Sequence, residues 1–183
     1  MSEEENITLR KWYALYTKPR QEFKANEQLK EMEIITYLPL ITKVKQWSDR
    51  KKKVIEPLFK SYIFINASDS ERYVSVQAKS IVKVVNFHGV PATIPNWQIE
   101  NLQKMLVTNP DAFVTDLIKI GTHVKIIEGP FAGVEGIVSK HSNDERVLGI
   151  NIETLQRSVI VHLPASSVMV ETTLSNQQTE NQE

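Results

Sequence analysis

Three groups of residues in this 183-residue chain have types and spacings suited to chemistry. The first is Lys43-x-Lys45-Gln46-Trp47-Ser48-Asp49-Arg50-Lys51-Lys52-Lys53, six cations and one indole within eleven residues. Cations at this density suit phosphates, and an indole can stack on a base. A solvated hairpin tip would read the same way. The second group is aromatic. Trp12, Ala14 and Tyr16 share one face of a strand, as do Tyr62 and Phe64 in another. If the two strands are neighbours, Tyr16, Tyr62 and Phe64 form one patch. The rings suit either a protein interface or a core beneath helices. The third group is Glu128–Gly136, where Gly129-Pro130 and Gly133 supply turn geometry around Phe131. That loop either presents Phe131 to a partner or is a plain hairpin turn.

Catalytic arrangements are missing from the sequence. His88, His123, His141 and His162 lack metal-ligand spacing. There is no Gly-x-Ser-x-Gly elbow, phosphate-binding loop or His-Glu-x-x-His helix. The absence of cysteine excludes disulfides and thiolate chemistry and suits a reducing compartment. No uncharged apolar run is long enough to span a bilayer. Met1-Ser2-Glu3-Glu4-Glu5 has none of the apolar character of a secretory leader. These features predict a cytoplasmic, monomeric binding protein without enzyme activity, cofactor, metal or membrane contact.

The elements that must position these groups divide in two. Net charge is zero, yet residues 9–108 hold 17 basic and 9 acidic side chains, a net +8. Residues 109–183 hold 5 and 10, a net −5. Five of the six glycines, from Gly121 onward, fall in the acidic part among short β-branched runs. The first part alternates elements. Lys11–Thr17 reads as a strand, and Gln21–Glu33 as a helix with Ala25, Leu29 and Met32 on one stripe. Ile34–Thr42 is β-rich, Gln46–Lys53 a polar loop and Leu58–Asn66 a strong strand. Ser68 and Glu71 form a capping box for a short helix. Ile81–Phe87 reads as a strand, and Asn96 as the cap of a helix burying Ile99, Leu102 and Leu106. This β-α-β-β-α-β-α order predicts an α+β, ferredoxin-like (RNP-like) sandwich. In the second part Val124–Ile127, Gly136–Ser139, Leu148–Ile152 and Val159–Leu163 alternate with period two, as a small β-barrel does. The expected division is a disordered 1–8, a domain over 9–108, a linker over 109–118, a barrel over 119–171 and a disordered tail over 172–183.

Jointly, several stretches resemble the NusG family of transcription factors. They are Trp12-Tyr13-Ala14-Leu15-Tyr16, Glu56-Pro57-Leu58-Phe59-Lys60-Ser61-Tyr62-Ile63-Phe64 and Gly89-Val90-Pro91-Ala92-Thr93-Ile94-Pro95. Gly121-x-x-Val124-x-Ile126 with Gly129-Pro130-Phe131-Ala132-Gly133-x-x-Gly136 resembles a KOW motif. The resemblance implies an NGN domain followed by an SH3-like KOW barrel. Gln46-Trp47-Ser48-Asp49-Arg50-Lys51-Lys52 is similar to UpxY-type antiterminators of surface and capsular polysaccharide operons, relatives of the RfaH branch. By this resemblance Tyr16, Phe59, Tyr62 and Phe64 face the clamp helices of RNA polymerase's largest subunit. Lys18, with Arg20, Trp47, Arg50, Lys51, Lys52 and Lys53, would meet non-template DNA or nascent leader RNA. Phe131 in the KOW barrel would meet a ribosomal protein or a termination factor. The implied action is suppression of pausing and termination, either at selected operons or, as in the housekeeping factor, generally. A ribosome-associated KOW RNA-binding protein is the alternative of another class. Lys60-Ser61 stands where the family commonly has Pro-Gly.

Overall fold

The computed structural model describes residues 9–46, 51–109, 112–140 and 146–172. Residues 1–8 and 173–183, both expected to be disordered, lie outside these ranges.

The aromatic, β-branched opening run forms β1 (Lys11–Thr17). Pro19 ends it, and α1 (Glu22–Glu31) buries Ala25 and Leu29. Next come β2 (Ile35–Tyr37), β3 (Leu40–Gln46), β4 (Lys51–Pro57) and β5 (Tyr62–Ala67). The capping box starts α2 (Asp69–Ser75): Ser68 Oγ accepts from the Glu71 N–H, and Glu71 accepts from the Ser68 N–H at 2.8 Å. Then follow β6 (Ile81–Val84), β7 (Asn86–Phe87), β8 (Val90–Pro91), β9 (Thr93–Ile94) and α3 (Asn96–Thr108).

The main sheet has the order β2-β5-β1-β6, with β9 also pairing β1, and every pairing is antiparallel. This is the predicted ferredoxin-like arrangement. One face carries Tyr13, Leu15, Ile63 and Ile65, buried with Ala25 and Leu29 of α1. The other carries Trp12, Ala14 and Phe64, buried with Ile99, Leu102 and Met105 of α3. Strands β3 and β4 form a separate two-stranded sheet.

The C-terminal part holds β10 (Phe113–Asp116), β11 (Thr122–Glu128), β12 (Glu135–Lys140) and β13 (Arg146–Ile152). A 3-10 turn at Glu153–Leu155, β14 (Arg157–His162) and β15 (Val168–Glu171) complete it. These six strands form one antiparallel sheet ordered β10-β14-β13-β12-β11-β15. Gly149 lies beneath the Ile118 side chain, which a Cβ there would strike. A Cβ on Gly136 would come within 2.5 Å of the Gly149 carbonyl oxygen.

Four local expectations change. Segment 109–118 is not wholly linker, because Phe113–Asp116 pairs with Ile160–Arg157 as β10. The Leu58–Asn66 strand begins only at Tyr62, because Ser61 turns through φ +63°. The Ile81–Phe87 run splits into β6 and β7 at Val85. Pro95, not Asn96, is the N-cap of α3. The Asn96 side chain is engaged elsewhere: it accepts from Trp12 Nε1 at 3.0 Å and donates to Glu100.

Candidate functional site

Strands β1 and β5 are neighbours, so the aromatic face can be read off their register. Tyr16 lies opposite Tyr62, Ala14 opposite Phe64 and Trp12 opposite Asn66. The Tyr16 and Tyr62 rings meet edge to face, 5.3 Å between centroids, and both are part-exposed. Two residues along the same face, Phe64 is 0% exposed. Its ring meets Phe59 edge-on at 5.6 Å and stacks on Tyr37 at 6.2 Å. Phe59 and Phe64 are therefore core residues rather than parts of a surface patch. The reason is that β2 brings Tyr37 opposite Phe64, while the α3 stripe belongs to the same buried cluster. Burial raises the Tyr37 phenol well above its ordinary pKa.

Sheet register adds a residue that the sequence reading passed over. Lys83 of β6 lies opposite Tyr16, so Tyr62, Tyr16 and Lys83 form one row across three strands. The register shifts between Tyr16 and Thr17, and Val82 and Lys83 are exposed beside this row. Only the strand pairing brings Lys83 there, and nothing in its local sequence signals it.

Two strained turns flank the row. Lys18-Pro19-Arg20-Gln21 closes with the Gln21 N–H donating to Lys18 O at 3.1 Å. Proline at the second position and φ +60° at Arg20 make it a type II turn. Glycine is the usual third residue there, yet this chain places a cation at that position. Lys18 and Arg20 are both exposed. The second turn is Phe59-Lys60-Ser61. Ser61 adopts a positive φ that glycine would take without strain. The buried Glu22 side chain accepts the Ser61 N–H at 2.7 Å, and Ser61 O accepts from Thr17 N–H at 2.8 Å. The turn is thus anchored on both sides despite lacking Pro-Gly.

The basic segment is an extended ribbon rather than a polar loop. Strands β3 and β4 pair from Leu40↔Pro57 to Gln46↔Lys51. Lys51, Lys52 and Lys53 are exposed strand residues. Lys45 pairs with Glu56 on the ribbon. Trp47 and Arg50 lie outside the described residues. Among the described residues the ribbon has no ladder to the sheet carrying the tyrosines, so the two candidate surfaces stand on separate sheets.

Phe131 is 2% exposed and is not presented to solvent. Gly129 at φ +104° and Gly133 at φ +84° fold the loop back, and the Gly133 N–H donates to Ile126 O at 2.8 Å. The ring joins the buried cluster that also holds Leu102 and Met105 of α3. Polar contacts join the same two parts: the Glu135 N–H donates to Asn101 Oδ1 at 3.1 Å, and Lys104 Nζ to Gly133 O at 3.5 Å. Thr154 Oγ1 donates to Thr93 O at 3.3 Å. Nothing in the local sequence distinguishes Asn101 from the other polar residues of α3.

Among the described residues, no group of three or more His, Cys, Asp or Glu is placed to hold a metal. No helix among them is long and apolar enough to cross a membrane.

The family pattern described as "Transcription termination factor nusG" matches residues 10–103. A solved structure titled "Domain interaction in Thermotoga maritima NusG" is 19% identical, with TM-score 0.43, covering 84% of this chain and 93% of that one. Two conformations of the "MjSpt4:Spt5 complex" are 16% and 17% identical, each with TM-score 0.31 and covering 88% of this chain. They are covered to 99% and 97% of their own lengths.

Proposed function

The chain belongs to the NusG family of transcription factors, and from that premise we propose that it rides on RNA polymerase through the Tyr16–Tyr62 row. The observation that carries this reading is the edge-to-face tyrosine pair. Its rings remain part-exposed, while Trp12 and Phe64 on the same face are buried. Amphipathic rings of this kind anchor protein interfaces. The partner surface is the clamp helices of the largest subunit. Binding there favours one clamp state over another and so suppresses pausing and termination, a population shift driven by differential affinity.

Lys18, Arg20 and the exposed lysines Lys51, Lys52 and Lys53 meet non-template DNA or nascent leader RNA and supply an operon-specific address. Trp47 and Arg50 are assigned to the same contact. Surface and capsular polysaccharide operons are the proposed targets. The C-terminal sheet is proposed to be a KOW domain contacting a ribosomal protein or a termination factor. Its docking surface includes Phe131 only once the loop has left α3. The protein acts as a cytoplasmic monomer without catalysis or cofactor.

The test measures binding to purified RNA polymerase alongside transcription through a paused template. Tyr16→Ala and Tyr62→Ala are expected to weaken binding by ~2 kcal/mol, about 30-fold, with the melting transition retained. Binding that merely follows the folded fraction would make the tyrosines core residues and remove the interface. Recruitment is then compared on the factor's own leader and an unrelated leader. Equal recruitment replaces the operon-specific reading with general elongation.

A further inference from the structure

The β3–β4 ribbon has lysines on both faces, a pattern that the proposed function leaves unexplained. Residues alternate across a ribbon, and cross-strand partners share a face. Ile41, Lys43 and Lys45 therefore lie with Glu56, Val54 and Lys52 on one face. The Lys45–Glu56 ion pair is consistent with that assignment. Thr42, Val44 and Gln46 lie with Ile55, Lys53 and Lys51 on the other. All five lysines are exposed. Lys45 and Lys52 stand directly opposite each other, a like-charge pairing that costs stability in an isolated ladder. Val44 and Ile55 are 60% and 61% exposed on the second face.

A flat anionic surface, or a single strand laid along one side, would satisfy only one face. Charge on both faces fits a slot with anionic walls on either side. The B-form major groove is such a slot: it is about 12 Å wide, walled by phosphates, and admits a two-stranded ribbon. The strands are about 4.8 Å apart, and a sheet with its side chains is about 10 Å thick. The A-form RNA major groove is too deep and narrow for side chains to read.

We propose that the β3–β4 arms stand in the major groove of duplex DNA, with phosphates facing Lys43 and Lys52 on one side and Lys51 and Lys53 on the other. This rests on the nucleic-acid contact proposed above and narrows it, for the ribbon, to DNA in duplex form.

The experiment is fluorescence anisotropy of the full chain against four labelled probes over a salt series. The probes are a 20-bp DNA duplex, the same sequence as RNA duplex, its single DNA strand, and poly-glutamate. Duplex DNA is expected to bind most tightly. The paired variants K43A/K52A and K51A/K53A are each expected to reduce the slope of log K against log salt by about 2, about one unit per lost contact. Melting curves confirm that both variants fold. A slope change in only one variant overturns the groove placement and leaves one-sided nucleic-acid contact intact. Equal or tighter binding of the RNA duplex or single strand overturns it in the same way. Tightest binding to poly-glutamate makes the ribbon a protein-docking element. Failure to bind any nucleic acid sinks both this inference and the broader contact.

Discussion

The two parts of the molecule make their tight turns differently. In the N-terminal part Arg20, Glu33, Ser61 and His88 adopt positive φ, and Gly89 is the one glycine to do so. In the C-terminal part Gly129 and Gly133 take positive φ in the loop that packs Phe131 inward, and the exposed Gln156, after the 3-10 turn, is the non-glycine residue there that does so among the described residues. There Gly136 and Gly149 also let neighbouring groups approach closely. The left-handed region costs an ordinary residue about 1 kcal/mol, and glycine almost nothing. The basic part therefore accepts strain where a side chain is exposed, as at Arg20. The acidic part removes side chains where packing needs room. The same backbone conformation serves an exposed charge at Arg20 and dense packing around Phe131.

The largest test separates core from surface on one sheet face. Phe64→Ala is expected to cost about 3–5 kcal/mol of stability, read by denaturant unfolding. Tyr62→Ala, two residues away, is expected to cost clearly less. Equal losses would abolish the distinction between the buried and exposed ends of that face. Next, Gly136→Ala should destabilise the C-terminal sheet by about 1–3 kcal/mol, since its Cβ meets backbone at Gly149. A neutral result would show that the glycine serves no close approach. A third test concerns the cap of α2. The Ser68 backbone N–H holds the Glu71 carboxyl below its ordinary value against partial desolvation, and Arg10 adds to this at 2.6 Å. With a depressed folded pKa, the stabilisation is fully present above about 4.5 and is lost as pH falls through the folded value. Glu71→Ala should cost about 1 kcal/mol at pH 7 and progressively less on acidification. A penalty that did not change with pH would rule out the carboxylate as its source. The smallest effect has the opposite sign. Ser61→Gly and Arg20→Gly should each raise stability by about 0.5–1 kcal/mol through relief of positive φ. Arg20→Gly should also weaken nucleic-acid binding, whereas Ser61→Gly should not. Destabilisation by both would show that the strain is compensated locally and erase the contrast between the two parts.

Much of the scaffold could be read from residues alone because local signals agreed with tertiary ones. The aromatic run at Lys11–Thr17, the Ala25–Leu29 stripe and the Ser68–Glu71 capping box each became the expected element. The site was less legible, because it depends on pairing rather than spacing. Phe64 and Tyr62 have the same periodicity, and only the arrival of Tyr37 and α3 buries one more than the other. Lys83 joins Tyr16 across strands 67 positions apart, beyond any local pattern. Gln46–Lys53 read as a polar loop because its only apolar residue is Trp47, so no apolar alternation marks the strand ends that Gln46 and Lys51–Lys53 form. Phe131 sits in a loop whose glycines signal a turn but not its direction, and α3 supplies the cover. Phe113–Asp116 is too short a run to stand out before its partner Arg157–Ile160 is known.

The central position of β1 has a consequence for how the chain comes into being. It is synthesised before each of its partners, β5, β6 and β9. Its neighbours on the ladder end as far along as Ile94. At about 5–20 residues per second, translation takes on the order of 4–16 s to supply them all. Throughout that time Trp12, Tyr13, Leu15 and Tyr16 form an unpaired apolar strand, the kind of segment that associates with copies of itself. The three glutamates that precede it at Glu3, Glu4 and Glu5 place like charge beside that segment in every nascent copy. Electrostatic repulsion between neighbouring nascent chains would then protect the strand until its own sheet can close over it.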